Sequence, residues 1–239
     1  TMGGGVGLST HASHTVASEN LVWAMPETII GFFTDVGASY WLSRCEDNAG
    51  YYAALSGRSL DVSAAHEMGL VDCYVNSSHL MELEQALCSS DFGEDPHARV
   101  TEVISHFIEA PKVSSLSEYY PLMRRCFSLN SVPDIMAALS MESCAWADAL
   151  VADLQQRSPT SLAVVFAMLN RAVNLKFSEV IQQDLTLVGH FLEEKDFYEG
   201  IRAQIIDKDR NPIWQPATLE EVTAEYVEGH FVASPASAG

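Results

Sequence analysis

Two patterns of apolar and polar residues divide the chain. Short apolar runs bounded by turn residues occupy its first third and predict three strands, at 14–18, 21–25 and 71–75. Three helices are predicted between them, at 37–44, 49–55 and 63–69. We expect Gly57 to end the second helix, Ser63 to cap the third and Gly69 to close it.

From residue 77 onward the pattern is almost entirely helical. The longest amphipathic stripe keeps helical spacing and consists of Phe177, Val180, Ile181, Leu185, Val188, Phe191 and Leu192. Ser158 with the following Pro159 predicts a helix start, and residues 89–97 predict a loop. We therefore expect a strand-containing part at 1–76, a helical region at 77–232 and a disordered tail at 233–239.

Composition narrows the classes of partner. The chain has 239 residues, 48% of them hydrophobic, which is enough for one large domain. Its 13 Lys+Arg and 32 Asp+Glu give a net charge of −19, which argues against nucleic acids and anionic membrane surfaces as partners. A small anionic molecule remains compatible, because a helix N-terminus and a few local cations can bind it.

The cysteines and the apolar runs bear on the compartment. The 5 cysteines are scattered without C-x-x-C spacing, which favours free thiols in a reducing environment over a disulfide scaffold. The sequence contains no apolar run of the roughly 18 residues that a membrane span needs. The sequence does not decide whether a targeting segment exists, because the N-terminal portion that would carry it is expected to be absent.

Candidate chemistry is concentrated near the start of the chain. A glycine-dense turn at residues 3–7 opens a predicted helix, and glycine lets a backbone approach a ligand closely. A helix start offers unpaired N–H groups and a partial positive charge, which together suit an oxyanion. Glu27 and Asp35 follow in apolar surroundings and supply a candidate general base, acid or nucleophile.

Each of these residues also has a simpler interpretation. The glycines can serve dinucleotide binding or merely close helix packing, although Thr10 stands where a dinucleotide fingerprint has its third glycine. Glu27 can be a buried salt-bridge partner, and Asp35 can be the N-cap of the following helix. His11 and His14 have metal-like spacing, but no Cys/His cluster lies near them in sequence, so no metal site is predicted.

The beginning of the chain suggests a missing portion. A glycine turn of this kind normally follows a strand, and only Thr1 and Met2 precede the glycines. We expect that an N-terminal portion is absent. We also expect that it would supply strands to pair with 14–18 and 21–25, because unpaired strand edges promote association.

Several sequence blocks resemble the crotonase (enoyl-CoA hydratase/isomerase) superfamily. The matching blocks are TMGGGVGLS at 1–9, AMPET at 24–28, DVG at 35–37, SPTSL at 158–162, DFYEGIR at 196–202 and IDKD at 206–209. The first block is shared across the superfamily. The last three, together with the helical stretch at 77–157, favour its branch of 3-hydroxyacyl-CoA thioester hydrolases. The resemblance extends to about residue 231.

The resemblance implies a fold and a set of site residues. The fold would be an α/β spiral of ββα turns, truncated at its N-terminus and followed by a largely helical C-terminal region. Gly4 would supply an oxyanion-hole amide, and Glu27 and Asp35 would be catalytic and substrate-binding acids. Two nearby carboxyls in an apolar pocket should titrate apart, so that one is protonated while the other is ionised.

The resemblance also implies a function and a set of partners. The substrate would be a short branched 3-hydroxyacyl-CoA of valine breakdown, with coenzyme A as part of the substrate and no separate cofactor. The family allows a homo-oligomer and suggests the mitochondrial matrix. Two rival functions stay open, an enoyl-CoA hydratase or isomerase and an inactive CoA-binding or assembly subunit. Thr34, where the family usually has proline, and the missing N-terminal portion keep the inactive subunit open, while Ala38 stands where the family often has a second glycine.

Overall fold

The computed structural model describes residues 1–232, and the tail predicted at 233–239 lies outside them. Two strands are present in this part, β1 (Val16–Ala17) and β2 (Cys73–Tyr74). The α-helices are α1 (Gly4–Thr10), α2 (Ala38–Leu42), α3 (Ala49–Ser56), α4 (Val62–Glu67), α5 (Leu80–Ser89), α6 (Pro96–Ser105), α7 (Tyr120–Cys126), α8 (Val132–Ser140), α9 (Ala145–Leu154), α10 (Pro159–Ala172), α11 (Phe177–Glu193), α12 (Lys195–Ile201) and α13 (Ala224–Gly229). Short 3₁₀ helices occupy Glu27–Ile30, Glu46–Asn48, Ser77–His79, Ser117–Tyr119 and Leu219–Glu221, and a π-helix occupies Arg202–Ile206.

The strands form one short parallel pair, in which Val16 lies opposite Cys73. The predicted strands at 14–18 and 71–75 are therefore present in the right places, but each is reduced to two residues. The strand predicted at 21–25 is wrong. Trp23 makes a single bridge to Leu60, and Ala24 makes one to Met2, so no continuous neighbour builds a ladder along this segment.

The first three predicted helices exist with shifted ends, as α2, α3 and α4. Gly57 ends α3 in the left-handed conformation with φ 66°, as predicted. The predicted serine cap of α4 is wrong, because Asp61 caps this helix by accepting a hydrogen bond from the Ala64 N–H at 2.8 Å. Ser63 instead lies inside the first turn of α4 and is buried.

Two further local predictions are confirmed. The Ser158 hydroxyl accepts a hydrogen bond from the Ser161 N–H at 3.1 Å and so caps α10, in which Pro159 is the first residue. The loop predicted at 89–97 joins the end of α5 to the start of α6. The cap joins atoms only three positions apart in the sequence.

The main hydrophobic core draws on both ends of the chain. It extends from Val6 of α1 to Val227 of α13, with α10 almost completely buried at its centre. A smaller cluster lies under α5 and α6 and consists of Cys73, Val75, Leu83, Val103 and Ile104. From Leu80 to Gly229 the named elements are all helices. The domain limits at 76 and 232 stay a prediction.

Two general features concern the thiols and the helices. The five cysteines are all free, and burial raises the pKa of the Cys45 thiol to about 12, so this thiol stays protonated. No helix in the part of the chain that the structure describes is long and apolar enough to cross a membrane.

Candidate active site

The glycine turn presents an unpaired backbone donor at the start of α1. Gly3 has φ 50° and anchors the turn by donating its N–H to the Ala24 carbonyl at 3.1 Å. The next residues close the turn, because Gly5 N–H donates to Met2 O and Val6 N–H donates to Gly3 O. Within residues 1–232 the Gly4 N–H has no such partner, and a Cβ built on Gly4 would meet no atom within 4 Å. The predicted oxyanion donor is therefore unpaired within these residues, and the position of a Gly4 Cβ is open.

The Glu27 carboxyl lies directly beside this turn. A Cβ built on Gly3 would come within 3.0 Å of Glu27 Oε1, so any side chain at position 3 would press on the carboxyl. Glu27 opens the short helix Glu27–Ile30 and is only 7% exposed. Its Oε2 has no hydrogen-bond partner among residues 1–232. The ion pairs formed within these residues do not include Glu27, so they give the salt-bridge interpretation no support.

Burial makes Glu27 an unusually weak acid. It raises the pKa of the Glu27 carboxyl from the ordinary 4.5 to about 8, and the nearby charge of Asp35 adds to the rise. A hydrogen bond from the residue's own backbone opposes the rise. Glu27 is therefore mostly protonated near neutral pH, which is the state expected for one member of a carboxyl pair in an apolar pocket.

Asp35 is half-buried in the turn between the Glu27 helix and α2. Burial raises the pKa of its carboxyl, while a hydrogen bond from its own backbone opposes the rise. The N-cap of α2 is Gly37, and no side chain caps this helix, so the N-cap interpretation of Asp35 is wrong. The structure thus brings Glu27 and Asp35 close enough for the charge of one to affect the other.

A third acid, Asp184 of α11, lies at the same turn and was missed in the sequence. Its Oδ2 accepts a hydrogen bond from the Gly37 N–H at 2.7 Å, and the side chain is buried. Burial raises the pKa of Asp184 to about 7, the Gly37 hydrogen bond opposes this, and the charge of Asp35 adds to it. The sequence did contain a signal for Asp184. It shares helical spacing with the buried Val180 and Leu187, so it is a polar residue on an apolar helix face.

The same turn packs against α1 and His11. His11 Nε2 lies 2.7 Å from the Val36 carbonyl, and Trp41 Nε1 donates to His11 Nδ1 at 2.9 Å. Because the indole N–H can only donate, Nδ1 accepts and Nε2 carries the proton that is donated to Val36. The Val36 side chain sits on Gly7, where an added Cβ would lie 2.6 Å from the valine Cβ. The close-packing interpretation of the glycines therefore holds for Gly7.

The two histidines of the H-x-x-H pattern do not share a ligand. His11 is engaged with Val36 and Trp41, whereas His14 Nε2 lies 2.8 Å from Thr101 Oγ1. Across residues 1–232 no group of three or more His, Cys, Asp or Glu side chains is arranged to hold a metal ion.

Comparison with solved structures defines the class of fold. The chain matches a carnitinyl-CoA dehydratase from Mycobacterium thermoresistibile with a TM-score of 0.89 and 33% identity, over 98% of this chain and 66% of that one. It matches an enoyl-CoA hydratase from Rhodobacter sphaeroides with a TM-score of 0.86 and 28% identity, over the same shares. These likenesses confirm the predicted crotonase-like α/β fold.

The chain belongs to the enoyl-CoA hydratase/isomerase family, whose sequence profile matches residues 1–231. The 3-hydroxyisobutyryl-CoA hydrolase of Dictyostelium discoideum is 36% identical over 236 residues, which is 96% of this chain and 61% of that protein. The human mitochondrial 3-hydroxyisobutyryl-CoA hydrolase is 35% identical over 236 residues, which is 97% of this chain and 61% of that protein. The resemblance inferred from the motifs is therefore confirmed, and the chain spans 61% of the length of these relatives.

Proposed function

We propose that the full-length protein hydrolyses the thioester of 3-hydroxyisobutyryl-CoA or of a similar short 3-hydroxyacyl-CoA, as in valine breakdown. The observation that carries this proposal is the position of the buried Glu27 carboxyl beside a helix start whose Gly4 N–H is unpaired within residues 1–232. Support also comes from relatives at 35–36% identity, which are named 3-hydroxyisobutyryl-CoA hydrolases.

Gly4 and Glu27 have separate roles in the proposed reaction. The thioester carbonyl oxygen accepts a hydrogen bond from the Gly4 N–H, which stabilises the negative charge that develops on that oxygen. The ionised form of Glu27 takes a proton from water, and the hydroxide adds to the carbonyl carbon. The C–S bond then breaks, and the leaving CoA thiolate takes the proton back from Glu27.

A second route uses the same residues. The Glu27 carboxylate itself adds to the carbonyl carbon, the CoA thiolate leaves, and water hydrolyses the resulting mixed anhydride. Trapping with hydroxylamine separates the routes, because only the anhydride yields a hydroxamate on Glu27. In both routes Asp35 accepts the hydrogen bond of the substrate 3-hydroxyl or assists proton transfer.

A hydratase or isomerase acting on an enoyl-CoA is the second candidate. The observation that favours it is the likeness to two solved structures named carnitinyl-CoA dehydratase and enoyl-CoA hydratase. Water addition to an enoyl-CoA can likewise use an acid or base group to activate water and a donor to the thioester oxygen. The products distinguish the two reactions, because hydrolysis releases a free thiol and hydration removes the enoyl absorbance.

The test is an assay of purified full-length protein on a small panel of acyl-CoA thioesters. We expect thiol release from 3-hydroxyisobutyryl-CoA, faster than from acetyl-CoA, and no change in the enoyl absorbance of crotonyl-CoA. Thiol release should be lost in Glu27→Gln and retained in Glu84→Gln, which removes an exposed carboxylate from α5. An absorbance change without thiol release would favour the hydratase. CoA binding without turnover would favour an inactive CoA-binding subunit.

The same proposal extends to cofactor, assembly and compartment. We propose that the only coenzyme required is the CoA of the substrate, that the protein acts in the mitochondrial matrix, and that it can form a homo-oligomer. The relatives named mitochondrial support the compartment. Cell fractionation tests the compartment, light scattering tests assembly, and activity after exhaustive dialysis against a chelator tests the cofactor requirement.

A further inference from the structure

The Asp35–Gly37 turn has a backbone conformation that needs support from outside. Val36 has φ 56°, in a left-handed region that a β-branched residue rarely adopts, and Gly37 follows with φ 74°. Such conformations persist where surrounding contacts determine them. Since Asp35 directly precedes Val36, the contacts that hold this turn also set the position of the Asp35 carboxyl.

Two side chains from distant parts of the sequence hold the turn. His11 donates a hydrogen bond to the Val36 carbonyl, and Asp184 accepts one from the Gly37 N–H. Each of the two distances is 2.7 Å. Asp184 is 147 positions from Gly37 and belongs to α11, the longest helix of the described residues. The turn that carries Asp35 is therefore tied to α1 on one side and to α11 on the other.

A carboxyl at position 184 is a poor choice for stability alone. Asp184 is 6% exposed, its Oδ1 has no hydrogen-bond partner within residues 1–232, and the ion pairs there do not include it. An asparagine would accept the same Gly37 hydrogen bond without burying a titratable group. Features that oppose stability in this way concentrate at functional sites.

We propose that Asp184 is a positioning residue of the candidate active site, which holds the Val36–Gly37 peptide and thereby fixes the Asp35 carboxyl relative to Glu27. The proposal rests on the proposed function, since it assigns Asp184 a part in that same site. Asp184 does not need to touch the substrate. Its effect on the reaction passes through the Gly37 hydrogen bond and through its electrostatic interaction with Asp35.

The hydrogen bond can be observed without turnover. Labelling with ¹³C′-valine and ¹⁵N-glycine selects the Val-Gly pairs, which in residues 1–239 are Val6–Gly7, Val36–Gly37 and Val188–Gly189. A carboxylate acceptor should move the Gly37 amide proton downfield. In Asp184→Ala this resonance should move upfield by more than those of Gly7 and Gly189. Asp184→Leu, of larger apolar volume, is the second variant if the alanine protein does not fold.

Kinetics separate positioning from a merely structural role. Misplacement of a catalytic group by about 1 Å lowers rate on the order of 10²-fold, so we expect that loss in kcat for Asp184→Ala, with KM changed by less than about threefold. Asp184→Asn keeps an acceptor for Gly37 and should recover kcat to within about tenfold of wild type. Glu193→Gln removes an exposed carboxylate from the same helix and should behave as wild type.

Each of these results either supports or overturns the positioning role of Asp184. A kcat of Asp184→Ala within about tenfold of wild type, measured well below its melting temperature, would leave Asp184 a structural residue and overturn the proposal. An unmoved Gly37 resonance, or an asparagine variant as slow as the alanine variant, would overturn it as well. If wild type turns over no acyl-CoA, the proposed function fails separately, and the Gly37 resonance alone decides whether Asp184 holds the turn.

Discussion

Replacing Glu27 with glutamine should make the protein more stable while it removes activity. The carboxyl has a pKa of about 8 when folded and an ordinary value of 4.5, so the folded state resists its ionisation. One pKa unit corresponds to about 1.4 kcal/mol, so ionising Glu27 destabilises the fold by on the order of 5 kcal/mol above pH 8 and about 3 kcal/mol at pH 7. Glutamine has the same shape and never ionises.

The sign of the effect depends on pH. Because the folded-state pKa of Glu27 is raised, the folded protein binds the proton more tightly than the unfolded chain does. This contribution to stability is fully present below pH 4.5 and is lost as pH rises toward 8. The free energy of unfolding of Glu27→Gln relative to wild type should therefore increase by about 3.5 kcal/mol between pH 5 and pH 8.

Urea unfolding at pH 5, 6.5 and 8 measures this difference. The slope of the unfolding free energy against urea concentration is kept the same for both proteins. A constant offset from the buried amide cancels, because only the change with pH is compared. Glu84→Gln is the control and should show no pH-dependent difference from wild type. A difference that stays constant from pH 5 to 8 would refute the burial argument for Glu27. In the same preparations kcat should fall by at least about 10²-fold, the loss expected for a positioned acid or base.

Three further predictions concern the same site. First, kcat/KM of wild type should rise with pH toward about 8, since both proposed routes use ionised Glu27; a decline over that range would assign Glu27 as an acid. Second, Gly7→Ala should destabilise the fold by about 1–3 kcal/mol and lower kcat, because its Cβ would lie 2.6 Å from the Val36 Cβ. Third, Thr34→Val should raise the unfolding free energy by about 1–3 kcal/mol, because the Thr34 hydroxyl is buried and has no partner within residues 1–232.

The chain provides matched controls for the two substitutions. At Gly189, in α11, an added Cβ would meet no atom within 4 Å, so Gly189→Ala should be neutral or stabilising where Gly7→Ala is not. The Thr28 hydroxyl donates to the Leu55 carbonyl at 3.1 Å, so Thr28→Val should destabilise by about 1 kcal/mol. Equal effects within either pair, measured by urea unfolding, would contradict the structural reasons given.

Local signals in the sequence were enough to predict those features that depend only on residues close together in the chain. The serine cap of α10 and the terminal glycine of α3 each involve atoms within four positions of one another. The cap of α4 shows the limit of such signals. Asp61 and Ser63 are both good cap residues two positions apart, and only the extended backbone of Asp61, with ψ 176°, selects it.

Long-range pairing was beyond sequence patterns. The apolar run at 21–25 has strand character, but Trp23 and Ala24 each find only a single bridging partner. A strand needs a continuous neighbour, and the run itself does not encode one. Asp184 was overlooked for a related reason, since its hydrogen-bond partner is 147 positions away. An acid within an apolar stripe was the one local sign of its role.

The candidate site was anticipated as a set of residues but not as one connected structure. Glu27 and Asp35 were singled out because acids near a glycine turn suit acyl chemistry, and their catalytic roles stay a prediction. What the sequence could not reveal is that a side chain at position 3 would press on the Glu27 carboxyl, while one at position 7 would collide with Val36.

The spacing of the glycines acquires a physical meaning from these contacts. Gly3 and Gly7 lie at the two ends of one helical turn, so α1 sets the distance between the Glu27 carboxyl and the turn that carries Asp35. The unpaired Gly4 N–H lies between the two contacts and moves with them. A shift of α1 would therefore change the position of the Gly4 N–H relative to the Glu27 and Asp35 carboxyls. Small misplacements of this kind lower the reaction rate strongly. A substitution at Gly7 should therefore reduce turnover although Gly7 itself offers no group to the substrate.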